Sequence, residues 1–202
     1  VTRLLPLAAA LILIGAAPAA AHTITPGTSG FTDGLHHPFG QAAHIMIILG
    51  AGLLLGQREI AAWRSPLYGC LAGLAAGLAG GPLLVSPALE PRLALALLLL
   101  AVVLGGLVAL ARPLPAAPLT ALLALAGLGL GLDSAPEGTL QQILAALFGS
   151  GFAVIFALLN VTMLSHYARG NLARRPWQMI GVRIVGSWIA AAGIMVLALQ
   201  LR

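Results

Sequence analysis

Six long apolar runs constrain this chain more than any other feature: Pro38 to Gly56, Pro66 to Leu84, Arg92 to Ala111, Ala116 to Leu132, Leu140 to His166 and Gln178 to Leu201. A helix needs about 20 residues to cross roughly 30 Å of bilayer hydrocarbon, and each run approaches or exceeds that length. Of the 202 residues, 60% are hydrophobic and 7% charged, too little polar surface to cover a soluble globule. The reading is an all-α membrane protein, a bundle of about six transmembrane helices. Prolines punctuate the runs, with Pro82 at the end of the second, Pro87 and Pro91 after it, and Pro113, Pro115 and Pro118 after the third, where helices cannot cheaply continue.

The amino terminus carries Arg3, an apolar stretch from Leu4 to Gly15 and then Ala19-Ala20-Ala21. That pattern predicts a cleavable export signal over residues 1–21, leaving residues 22–202 as one six-helix domain in a bacterial inner membrane with its mature amino terminus in the periplasm. From that start, the cytoplasmic loops hold Arg58, Arg64, Arg112, Arg169, Arg174 and Arg175, as the positive-inside rule requires. Trp63, Tyr68, Tyr167 and Trp177 fall at the same helix ends and are expected in the headgroup layer. The net charge of +5 comes from arginines scattered between apolar runs, so the bilayer is the implied partner and nucleic acid is not.

Gly69, Gly73 and Gly77 recur every four residues in the second run and predict a face on which another helix backbone packs closely. Cys70 has no partner cysteine and reads as buried packing. One helical domain is the expectation, with two inverted halves of three helices left open as an alternative.

The residues able to carry chemistry lie at the outer entrance of the first run, in Thr32-Asp33-Gly34-Leu35-His36-His37-Pro38-Phe39-Gly40-Gln41-Ala42-Ala43-His44-Ile45-Met46, which holds three of the five histidines. Pro38 suits a first helical turn, so His37, Gln41 and His44 form one polar stripe. Burying imidazoles and an amide is costly without partners, so the stripe is expected to face the bundle interior or a hydrated cavity. Hydrogen bonds to neighbouring helices are the bland alternative. Imidazole suits nickel, copper, zinc and cobalt, and Asp33 adds a carboxylate at the mouth. Seven helical residues rise about 10 Å, so His37 and His44 are expected to act as two successive stations for a cation. His36 is a weaker metal candidate, and Gln41, Met46 and Asn160 complete the candidate path.

The signal before His22-Thr23, the run Ser29-Gly30-Phe31, the pair His37-Pro38 with His44, and the closing Arg183-Ile184-Val185-Gly186-Ser187-Trp188-Ile189-Ala190-Ala191-Ala192-Gly193 resemble the HupE/UreJ family, small membrane proteins associated with nickel-iron hydrogenase and urease systems. The sequence departs from that family's pattern in three places, one of them Gln41, where the family has a glycine. The aspartate just before the second histidine is Ala43 here, and Phe148-Gly149-Ser150-Gly151-Phe152 lacks the histidines of a later motif. The resemblance implies a nickel or cobalt permease that holds no tightly bound cofactor and is not an enzyme. A non-transporting accessory protein for hydrogenase or urease maturation, with maturation proteins as partners, is the alternative.

Overall fold

The computed structural model describes residues 30–200 apart from 135, 137 and 172, so the expected export signal lies outside the described residues. In chain order the helices are α1 (Gly30–Gly40), α2 (Ala42–Gly56), a 3-10 turn (Ile60–Ala62), α3 (Arg64–Leu84), α4 (Glu90–Leu110), α5 (Ala116–Leu132), α6 (Leu140–Gly170) and α7 (Trp177–Gln200), and there is no strand among the described residues. Helices α3, α4, α6 and α7 are each long and apolar enough to cross a membrane, and α1 with α2 passes as a fifth span bent by 77° at a break. The chain is a multi-pass membrane protein. Among the described residues each of the six apolar runs is mainly helical, but α5 has only 17 residues. Those rise about 25 Å, short of the hydrocarbon thickness.

The first described helix already covers Gly30, eight residues before the expected Pro38 start, and Pro38 sits inside it. A proline there removes the hydrogen bond to the carbonyl four residues back, that of Gly34. Ser150 on α6 replaces it, its buried hydroxyl donating to the Gly34 carbonyl at 3.0 Å. In a medium without water, such a side chain is what lets a proline persist inside a span. Two residues beyond the proline, Gly40 ends the helix. Gln41 is extended (φ −114°, ψ 122°), and α2 restarts when the Gln41 carbonyl accepts the Ile45 N–H at 3.2 Å.

Glycines bring several helix pairs into backbone contact. A methyl group added at Gly69, Gly73 or Gly77 of α3 would overlap Thr120, Ala124 or Leu128 of α5, and one at Gly127 or Gly131 of α5 would overlap the backbones of Cys70 or Leu74. The rising order of these partners makes α3 and α5 parallel, and the expected glycine ridge is a two-sided packing seam. Gly30 and Gly34 of α1 abut the Gln142 and Ala146 backbones of α6, and Gly105 of α4 meets Gly186 of α7. With α1 and α2 counted as one segment, exchanging the first three segments with the last three turns the α3–α5 pairing into the α6–α1/α2 pairing and leaves α4–α7 unchanged. This is the pairing pattern of the two-halves alternative. Helix α2 runs through the centre, where Ile47 and Leu55 have no exposed surface, and Cys70 is buried as expected.

At the arginine-rich end, Tyr68, Tyr167 and Trp177 are exposed, but Trp63 is buried. Its indole N–H donates to the Arg58 carbonyl at 3.3 Å, and its ring meets His166 edge-on with centroids 5.0 Å apart. A hydrogen-bonded, packed Trp63 closes the turn between α2 and α3 and faces the protein, unlike the three exposed rings. Beside it Arg169 donates to Glu59. That hydrogen bond, together with the Arg169 charge, holds the Glu59 carboxyl below the usual carboxylate range. The pairing therefore contributes above the ordinary carboxylate value and is lost as pH falls through the lowered one. Arg169→Ala is expected to return the Glu59 titration, followed by carboxyl NMR, to the ordinary range. Thermal unfolding should barely change, because exposed ion pairs are worth little.

Candidate metal centre

The break in the first span positions the candidate site. The last turn of α1 carries His37, the break itself carries Gln41, the first turn of α2 carries His44, and the residue capping the carboxyl end of α5 is Asp133. A continuous helix would hold His37 and His44 about 10 Å apart along its axis. The bend overturns that expectation of two separate stations, because it folds the rings to a centroid distance of 5.4 Å in an edge-to-face arrangement. His37, His44 and Asp133 each offer a ligand atom, and all three atoms lie within 4.8 Å of one another.

His44 is fully buried, and its Nε2 lies 2.9 Å from Asp133 Oδ2. Neither of its ring nitrogens nevertheless has a hydrogen-bond partner. The separation is right for a bond and the alignment is not, so the two atoms converge on a common point without pairing along a line. An imidazole left this way costs about 1–3 kcal/mol in desolvation, and such a group in a native fold calls for an explanation such as an ion. His37 Nε2 is 3.1 Å from the Asp133 main-chain carbonyl. A carbonyl only accepts, so in the neutral ring Nε2 carries the proton and Nδ1 is the basic nitrogen. Histidines that bind metals typically donate their other N–H in this way. Gln41 Nε2 donates to Asp133 Oδ2 at 3.1 Å, so Asp133 ties both sides of the break to α5.

The candidates from sequence divide accordingly. His37, His44 and Gln41 come together. Asp33 lies one turn before His37 on α1 and is not among the three clustered ligands. His36 is exposed. Met46, two residues after His44 and so pointing away from it, packs in the apolar core. Asn160 is exposed on α6 and donates to the Phe156 carbonyl of its own helix at 2.7 Å, so the structure does not bring it to this site. Asp133 was missed as a ligand. It stands 92 residues from Gln41 in sequence, and its only signal is that it is one of five acids in the whole chain and directly follows an apolar helix. It supplies from another helix a carboxylate of the kind absent at Ala43.

Two imidazoles and one carboxylate, partly dehydrated and held by three helices, form a donor set suited to a borderline divalent cation such as nickel, cobalt or zinc. On the side of His44 toward the arginine-rich end, α2 continues with buried Ile47, Ile48, Ala51, Leu53, Leu54 and Leu55. The centre thus lies near one end of the bundle, with the buried apolar length of α2 between it and the arginine-rich end. In comparisons with known proteins, the chain matches the family model described as HupE / UreJ protein over residues 9–196. No curated protein and no solved structure matches it.

Proposed function

The chain belongs to the HupE/UreJ family, and from that premise we propose that it is an inner-membrane permease for nickel or cobalt that loads its cation at His37, His44 and Asp133. One observation carries the reading: a fully buried imidazole whose two nitrogens lack hydrogen-bond partners, set against a second imidazole and a carboxylate. A broken span supports it too, since transporters commonly build ion sites where a helix is interrupted and its ends are held by neighbours. The metal is cargo in this reading. Three ligands bind it well enough to replace lost water, yet leave the coordination open enough for release.

In the same proposal the first span starts in the periplasm, Asp33 concentrates cations near its entrance, and all six apolar segments cross. Helix α5 would then cross with the help of local bilayer thinning, a cost of fractions of a kcal/mol per Å. The arginine-bearing turns face the cytoplasm, and the apolar plug of α2 is the closed inner gate.

That same plug favours a second reading, a metal-binding accessory protein that hands its ion to maturation proteins without moving it across. Purified protein in liposomes, given radioactive nickel outside, separates the two. The permease reading expects uptake well above protein-free vesicles, falling at least about tenfold in Asp133→Asn. Saturable binding with no accumulation would overturn transport and leave the accessory role.

A further inference from the structure

We propose that Gln41 is a switching ligand of the metal centre, whose side-chain amide donates to Asp133 when no cation is present and turns to offer its oxygen when one binds. The inference rests on the reading of this cluster as a cation site and deepens it by naming a fourth donor.

Asp133 Oδ2 is shared. It lies 3.1 Å from the Gln41 amide nitrogen and 2.9 Å from His44 Nε2. A cation bound by that carboxylate and by His44 would stand against the amide N–H, whose partial positive charge repels it. A glutamine side chain has two ends of nearly equal shape, an acceptor and a donor pair. Half a turn about its last bond replaces the repelling N–H with a carbonyl oxygen, a ligand that divalent cations accept. The main chain already permits this freedom. Gln41 is the one non-helical residue between α1 and α2, its side chain makes no cap to α2, and a methyl group added at Gly40 beside it would meet nothing within 4 Å.

The consequence is a donor set of two imidazole nitrogens, a carboxylate oxygen and an amide oxygen. This set suits borderline divalent ions and disfavours copper(I), which seeks thiolate or thioether. It also moderates affinity, because the empty site is held closed by the hydrogen bond that the Gln41 amide donates to Asp133, which an arriving ion must break. An ion that leaves lets the bond re-form. Gln41 therefore promotes release as well as binding, which a conducting site needs.

Cobalt(II) tests this directly, since its visible absorption reports the number and type of its ligands. Protein in detergent is titrated with cobalt(II) and nickel(II), as wild type, Gln41→Leu and Gln41→Glu. Gln41→Leu is expected to change the cobalt spectrum and weaken nickel binding roughly tenfold. Gln41→Glu is expected to bind nickel at least about tenfold more tightly and, in liposomes, to lower both the KM and the maximal rate of uptake, because a fixed anion replaces a reversible amide. A merely structural Gln41 would leave the cobalt spectrum untouched. Spectra and affinities of both variants indistinguishable from wild type overturn the proposal while leaving the metal centre standing. Wild-type protein that binds neither ion overturns both. Should Gln41→Leu not fold, as judged by circular dichroism, the affinity of Gln41→Glu decides the matter alone.

Discussion

His44→Ala is expected to abolish nickel and cobalt uptake and to weaken metal binding by more than about 100-fold, beyond the usual effect of losing an outer partner of a metal ligand. The size follows from where the ring sits. It is fully buried, 2.9 Å from the Asp133 carboxylate, and has no hydrogen bond that another residue could inherit. Alanine there leaves the Asp133 carboxylate and one imidazole, with only the weak amide oxygen proposed for Gln41 beside them, a remnant that water outcompetes. The control is His36→Ala, one residue from His37 but exposed, whose uptake should match wild type. Binding titrations and radioactive uptake on both variants make the comparison, with thermal unfolding showing that His44→Ala is still folded. Unchanged uptake in His44→Ala would remove the proposed site.

Gly34→Leu is expected to give the largest loss of stability and to take the metal centre with it. Even a methyl group at this position would overlap the Ala146 carbonyl of α6, and backbone cannot step aside as a flexible side chain can. Overpacking typically costs about 1–3 kcal/mol, and a clash with main chain falls at the upper end or beyond. Moving α1 off α6 also separates the Ser150 hydroxyl from the Gly34 carbonyl, leaving uncovered the group that Pro38 had already deprived of its partner. His37 lies less than one turn further on, so its ring would leave Asp133. A lowered melting temperature in detergent together with lost nickel binding is the expected pair of results. Gly181→Ala, where an added methyl group meets nothing, should keep both.

Much of this protein could be read from its residues in order. The apolar runs, the glycine spacing on α3, the burial of Cys70 and the gathering of histidines near the first span all follow from local composition and period, which act through neighbours a few positions away. The resemblance of His37-Pro38 and His44 to the family pattern led to the family that the comparison then showed. The break at Gln41 was harder to see. Proline commonly begins helices, which argues for a first turn at Pro38, but here the hydroxyl of a serine 112 residues further on covers the carbonyl that a mid-helix proline leaves without its partner. Polarity inside an apolar run makes Asn160 a path candidate in the sequence. Its rotation about α6 puts it on the exposed face, and no period in so uniformly apolar a helix reveals which face is buried.

By itself the sequence determined that this chain lives in a membrane as helices, because apolar length against bilayer thickness is a one-dimensional comparison. It also named the two imidazoles, since histidine is rare and conspicuous among alanines and leucines. Only the tertiary structure decided that the two rings meet and that Asp133 stands beside them. Those facts depend on a bend of 77° and on a carboxylate delivered by another helix. Distances between side chains are set by how helices pack in three dimensions, and no local spacing encodes them.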